Sequence, residues 1–286
     1  MIPFPKFCPE ERQKRRLVFR NFTCLYKSQC DGTGKSIITM YRKPYTIYNN
    51  DLWWSDARDA LDYGVDFDFS KTFTEQFAAL VLAVPKYATH NLNSENSQYT
   101  NMTANSKNCY LMSGCINNED CAYGHIVWYS EDLYDCAYTK TSQDSFQCVD
   151  CFHINKVAYA NDSQYCAECF FLYRCAGCTN CFGCVGLSNR QYCIFNKQHT
   201  KEEYDAYIAS LNLADPAVIK NIQSQMDPLL HKMLRPMDDI TESERAVGDY
   251  LIQSKDVLGF DIVESEKVRY GYTIGKFIDS QDVCFS

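Results

Sequence analysis

The densest set of metal-ligating residues in the chain is the run Cys166, Cys169, Cys175, Cys178, Cys181 and Cys184. Thiolates paired three residues apart chelate zinc at about 2.3 Å, and a series of such pairs also suits iron–sulfur ligation. The run is therefore the candidate metal site, with zinc ahead of an iron–sulfur cluster because the ferredoxin spacing and its closing proline are missing. A second reading competes with metal. Single cysteines upstream, Cys109, Cys121 and Cys136, stand at equivalent steps without partners, as expected if Cys serves as a small hydrophobe in a cramped core. We favour this second reading, under which no cofactor is required and zinc is the metal to test for.

Other chemistry-bearing residues are scattered. GTGKS (Gly32–Ser36) looks like a phosphate loop, but the place of that loop's first glycine is taken by Gln29 and no apolar strand precedes it; the N–H cradle for phosphate is incomplete. Asp120, Asp132 and Asp144 recur every twelve residues. Stacked one strand apart they would repel by roughly 0.9 kcal/mol per neighbour in water, which calcium would relieve, yet the glycine-rich nonapeptide of calcium-binding solenoids is absent. Glu95, Glu119 and Glu131 have the spacing to line one sheet, as the acids of a carbohydrate-active β-helix enzyme would. His90, His125 and His153 have no spaced partner. No nucleophile, base and orienting group stand together in a recognisable pattern, so no catalytic residue is assigned.

What must position these residues is a repeat. From Asn93 to Phe152 the chain reads as five consecutive twelve-residue units: NSENSQYTNMTA, NSKNCYLMSGCI, NNEDCAYGHIVW, YSEDLYDCAYTK and TSQDSFQCVDCF. A fixed short period marks a solenoid, whose units are stable only when stacked. Position four is Asn or Asp and suits a corner that needs positive φ. Position two, mostly Ser, is expected at corners as well, forming polar ladders. Position five (Ser97, Cys109, Cys121, Leu133, Ser145) is expected to point inward, and an aromatic follows it by one or two places. At about 3.3 Å per extended residue, one unit makes either a narrow turn with two corners or half of a 24-residue turn.

The flanks differ in composition. Residues 12–20 carry Arg12, Lys14, Arg15, Arg16 and Arg20, expected as a solvated helix face. Thr72 and Glu75 form a capping box for a helix ending at Pro85, with Phe73, Phe77, Leu80, Val81 and Val84 on one face; it is expected to seal the end of the solenoid. Thr200–Glu203 and Asp215–Pro216 open two further helices. The repeat motif then returns at Ser254, Ser265 and Ser280, and the last unit reads as uncapped.

The segments CDGTGKSIITMY, YNNDLWWSD, LDYGVDFDFS, NCFGCVGL and YCIFNKQHTKEEY resemble a family of cysteine-rich, zinc-ribbon-containing proteins of uncultivated small-genome bacteria. Some members carry a CaiB/BaiF-type CoA-transferase label, which no motif of this chain supports. The resemblance implies paired zinc-ribbon cysteines. In this chain those places hold Cys8 with Glu11, Cys30 with Thr33, and Asn49 with Leu52. Two isolated thiols do not make a four-ligand site, so the ribbon is expected to be degenerate and metal-free.

These readings give a mainly β chain, a parallel β-solenoid with twelve-residue repeats. Its parts are a degenerate zinc-ribbon-like region (1–70), a capping helix (71–90), a Cys-rich solenoid (91–197), a helical hairpin (198–240) and resumed repeats (241–286). The net charge of -8 argues against a nucleic-acid partner. With seventeen cysteines and neither a signal-peptide-like start nor an apolar run of membrane length, a reducing, cytoplasmic setting is expected. The expected function is a non-enzymatic structural or recognition protein. Its partner would be another protein, or a second copy at the open solenoid end; the alternatives are zinc binding and a carbohydrate-active enzyme.

Overall fold

A computed structural model of the chain describes residues 23–42 and 44–234, together with 6–8, 10–11, 14–15, 21, 240–241, 243–244, 247–255, 258–266 and 277–278. The chain divides into two units, 22–233 and the two termini, 1–21 with 234–286.

In the larger unit, β1 (Tyr26–Gln29) and β2 (Ser36–Thr39) form an antiparallel hairpin, followed by β3 (Ile47–Tyr48), α1 (Asn50–Trp53) and α2 (Phe73–Ala83). After β4 (Lys86–Tyr87) the solenoid begins. Its short strands are β5 (Asn91–Leu92), β6 (Asn101–Ala104), β7 (Ser113–Ile116), β8 (His125–Trp128), β9 (Glu131–Tyr134), β10 (Ala137–Lys140) and β11 (Gln143–Phe146). They continue as β12 (Asn155–Asn161), β13 (Ala167–Tyr173), β14 (Phe182–Val185), β15 (Cys193–Ile194) and β16 (Lys197–Gln198). Pairing is parallel throughout until β15 and β16, and partners lie twelve residues apart, as in Asn101 with Ser113 and Phe170 with Phe182. The result is a β-solenoid of about nine turns.

Each turn is neither the two-cornered loop nor the half of a 24-residue turn expected above. From Asn93 to Phe195 every third residue has a left-handed backbone, Tyr99 excepted: Asn105, Asn108, Leu111, Gly114 and Asn117 have φ of 50, 52, 50, 71 and 56°. A left-handed residue reverses the local course of an extended chain, so twelve residues close into four short sides with four corners. Within each triplet one residue is left-handed, the next points inward and the third lies on the outer face. Residues 97, 100, 103, 106, 109, 112 and 115 are accordingly all buried. Asn and Asp fill many corners because they tolerate this conformation best.

Both ends of the stack are closed by named groups. At the start the segment from Met40 to Tyr48, not α2, provides the cover: Lys86 N–H donates to Thr46 O (2.8 Å), Ala88 N–H to Tyr48 O (2.9 Å) and Met40 N–H to Ala88 O (2.9 Å), over a fully buried Ile47. The expected role of α2 as a core seal is therefore corrected. Its capping box is present, but it buries no residue, and Phe73 and Phe77 stack on each other (5.6 Å) in the open. Two-stranded additions satisfy the coil's backbone, which a helix laid on the end cannot. At the other end the Asn196 amide both donates to Val185 O and accepts from Val185 N–H (2.8 Å each), standing in for a further strand.

Two helices follow. In α3 (Lys201–Ala209) Thr200 and Glu203 cap each other reciprocally, and α4 (Pro216–Lys232) starts from Asp215 with Pro216 in its first turn. Their apolar faces, with Tyr204, Ile222 and Met226 buried, pack on Phe171, Phe182, Val185 and Ile194 of the late coils.

In the other unit, β17 (Ile240–Thr241), β18 (Val247–Lys255), β19 (Leu258–Glu266) and β20 (Phe277–Ile278) form a parallel sheet. Its register steps by eleven residues from Ile240 to Leu251 to Ile262 and by twelve from Ser265 to Phe277. The last expected unit, Ser280–Phe285, and with it the uncapped end, lies outside the described residues. So do Arg12, Arg16 and Arg20 of the basic run; Lys14 and Arg15 pair with Glu10 and Glu11 one helical turn away.

Candidate functional site

Every cysteine from Cys109 to Cys193 stands at an inward position and is buried. The C-x-x-C spacing of Cys166–Cys169, Cys175–Cys178 and Cys181–Cys184 is thus the distance from one side of the coil to the next. The triplet by itself produces this spacing. None of the described cysteines forms a disulfide. Among the described residues no group of three or more His, Cys, Asp or Glu is placed to hold a metal ion.

Hydrogen bonding explains why the interior takes Ser, Asn and Cys as well as Leu and Val. The ladder uses the N–H groups of the outer and corner residues: Glu95 N–H donates to Ser106 O and Asn108 N–H to Glu95 O. The inward residue's N–H then turns to the side chain twelve residues earlier. Cys109 donates to Ser97 Oγ (3.1 Å), Asn118 to Ser106 Oγ (3.3 Å), Ser130 to Asn118 Oδ1 (3.0 Å) and Cys181 to Cys169 Sγ (3.4 Å). The same side chains return a proton to the backbone, as Ser130 Oγ does to Trp128 O (2.9 Å) and Cys121 Sγ to Glu119 O (3.1 Å). The position-two residues Ser106, Asn118, Ser130 and Ser142 are buried members of this inner ladder, which corrects their expected place at corners. A buried N–H left without an acceptor is costly, and a small side chain able to accept and donate meets that need in a thin core.

The interior thiols divide into two groups, most held protonated and three shifted the other way. Burial pushes Cys115 up to about 12. Hydrogen bonding to a neighbouring thiol, together with burial, moves Cys121, Cys136, Cys166, Cys169, Cys175 and Cys184 the same way. Hydrogen bonds from Cys121, Cys166 and Cys169 move Cys109, Cys178 and Cys181 the other way, below the ordinary thiol value.

Outside, each column of the stack repeats one chemistry. Asn96, Asn108 and Asp120 form an amide ladder, with Asn96 Nδ2 donating to Asn108 Oδ1 (3.1 Å) and Asn108 Nδ2 to Asp120 Oδ1 (2.8 Å). Glu95, Lys107, Glu119 and Glu131 fall in one column, where Lys107 pairs with Glu119 (3.1 Å). The expected acids thus share a face, interleaved with a lysine. The three histidines each lie against a tyrosine: His90 on Tyr87, His125 on Tyr138 and His153 stacked on Tyr165 (5.1 Å). Burial lowers the pKa of His125.

An aromatic stripe runs along one edge of the stack. Tyr99, Tyr110 and Tyr123 meet at centroid distances of 5.4 and 5.9 Å, and Phe146, Tyr159, Phe171, Phe182 and Phe195 continue the series with spacings of 4.4 to 5.9 Å. The hairpin of α3 and α4 covers the late half. In the early half Tyr110, Tyr123, Tyr134 and Phe146 remain 39–53% exposed. Sequence reading noted the aromatic at this position but took it as part of the repeat; the signal that it forms a surface is its unbroken recurrence one or two places after the inward residue.

In the N-terminal hairpin, the GTGKS segment is the tight turn between β1 and β2, with Gly34 left-handed and its N–H donating to Cys30 O (2.8 Å). No helix follows to hold a phosphate. Cys30 and Asn49 come together: Asn49 N–H donates to Cys30 Sγ (3.2 Å), and Asn49 Oδ1 accepts from Leu52 N–H (3.2 Å). Burial of Cys30 opposes ionisation, but hydrogen bonds from Thr33, Asn49 and Gly32 outweigh it and hold the thiol below its ordinary value. Leu52 fills the space over Gly32, where an added Cβ would lie 2.3 Å from Leu52 Cδ2.

Among the described residues no helix is long and apolar enough to cross a membrane. The chain matches no family model and no curated protein.

Proposed function

We propose that the protein is a non-enzymatic recognition scaffold that holds a protein partner on the exposed half of its aromatic stripe. The observation that carries this reading is the contrast between the two halves of that stripe. The late half already binds an amphipathic helical hairpin, through Phe171, Phe182 and Ile194 against Tyr204, Ile222 and Met226. The early half offers Tyr99, Tyr110, Tyr123, Tyr134 and Phe146 on the same edge, uncovered. Rigid aromatics on a regular backbone supply contact area at small entropic cost, and such residues dominate protein interfaces. The free interior cysteines support a reducing, cytoplasmic setting. The Cys30, Thr33, Asn49 and Leu52 cluster is read as a zinc-ribbon knuckle in which hydrogen bonds and a leucine occupy the place of the metal.

The test is a photo-crosslinking residue placed at position 110 of the full chain in its native cells, with position 156 on a different face as the control. A discrete protein adduct at 110 that is absent at 156 is the expected result. Equal labelling at both positions, or none at 110, overturns the reading.

A further inference from the structure

The larger unit presents a second unpartnered apolar surface. The segment from Leu61 to Leu82 exposes Leu61, Val65, Phe69, Phe73, Phe77 and Leu82, with Phe69 92% and Phe73 67% accessible, and α2 within it buries nothing. A helix this apolar, with only Gln76, Leu80 and Val81 half-buried, is a surface awaiting cover.

We infer that this cover is the exposed aromatic stripe of a second copy of the chain, so that α2 of one molecule lies on Tyr110, Tyr123, Tyr134 and Phe146 of another. The inference rests on the recognition reading above and names its partner. Three observations carry it. The stripe is continuous with an interface that already takes helices, the α3–α4 packing on Phe171, Phe182 and Ile194. The dimensions agree: from Tyr99 to Phe146 the stripe climbs four coils, about 19 Å at the ~4.8 Å strand spacing, and the eleven residues of α2 span about 16 Å. Both surfaces belong to one structural unit in which neither covers the other. The contact joins unlike patches, so each molecule offers one donor helix and one acceptor stripe.

The experiment is sedimentation of the full chain over a range of concentrations, beside two variants, F73S/F77S in the helix and Y110S/Y134S in the stripe. All four side chains are at least 43% exposed, and unchanged melting temperatures verify folding. Wild type is expected to rise above the 33.0 kDa of one chain, and each variant to associate more weakly by on the order of tenfold or more. A 1:1 mixture of the two variants is expected to recover association, since each keeps the half that the other lacks. A wild type that stays at 33.0 kDa throughout, or variants that associate as it does, overturns the inference. As a readout independent of folding in the variants, the crosslinker at position 110 should be found joined to residues 73–83 of another copy. An adduct with a different protein defeats this inference while sustaining the recognition reading; no adduct defeats both.

Discussion

Gly124 makes room for Met112. The two share one inward column in successive coils, and a Cβ added at Gly124 would lie 2.4 Å from Met112 Sδ and 2.6 Å from its Cε. The long thioether, 2% exposed, takes the space that the neighbouring coil leaves open. In a core only one side chain wide, volume is traded between adjacent coils. Gly124→Ala is therefore expected to destabilise the fold by about 1–3 kcal/mol through overpacking. The pair M112C/G124C, which gives this column two cysteines of the kind found at 136 and 148, should recover most of that loss. Chemical denaturation of the three proteins checks both parts.

Ser130 tests the inner ladder. Its hydroxyl accepts from Ser142 N–H (3.3 Å) and donates to Trp128 O. Ser130→Ala leaves the buried N–H without this acceptor and should cost about 1–3 kcal/mol. Ser130→Cys keeps a weaker acceptor and should cost less than half as much. Equal losses in the two variants would show that the thiol serves only as volume.

The corners make a prediction of opposite sign. Thr141 is exposed and β-branched, yet holds φ at 54°, a conformation that costs such residues about 1 kcal/mol or more. Thr141→Asn should stabilise the protein by about 0.5–1 kcal/mol, seen as a raised denaturation midpoint with an unchanged slope.

Alkaline pH should unfold the solenoid. In the folded chain Cys115 keeps its proton up to about 12, whereas an unfolded thiol loses its own near 8.5. Above that value the folded state binds more protons than the unfolded one, so stability is full below pH ~8.5 and falls as pH rises towards 12. Each such thiol contributes a slope of about 1.4 kcal/mol per pH unit. Several titrate together, so melting temperature measured in reductant should fall steeply between pH 8.5 and 10.5. A flat profile there would contradict the raised thiols.

Reactivity should follow the same division. At pH 8, alkylation of native protein is expected at the exposed Cys8 and Cys24 and not at Cys109–Cys193 until denaturant is added. Peptide mapping of labelled positions reads this directly, and rapid native labelling of Cys169 or Cys181 would refute it.

The twelve-residue period, the parallel stacking and the two capped helices after residue 199 were legible because each leaves a local mark: a repeated word, a capping box, a proline in the first turn. The triplet inside the period was not. Its inward residues alternate among Cys, Ser, Thr, Asn, Leu, Val, Met and Gly, so no hydropathy rule marks them. What binds them is a shared phase of three and a shared backbone N–H to satisfy, which is invisible until the coil is closed. The same hidden phase sets the C-x-x-C spacing from Cys166 to Cys184. For α2 the amphipathic pattern was real, but the end it was expected to close had already been taken by Thr46, Tyr48 and Met40.

The triplet also dictates which changes in chain length the molecule can absorb. One added residue would turn every later thiol from the interior to water. Three would keep the thiols inside but rotate all later columns by a quarter turn, severing the rings of Tyr134 and Phe146 from those of Tyr159 and Phe171. Lengthening in whole twelves alone preserves both, so this architecture can gain or lose storeys but cannot drift by steps.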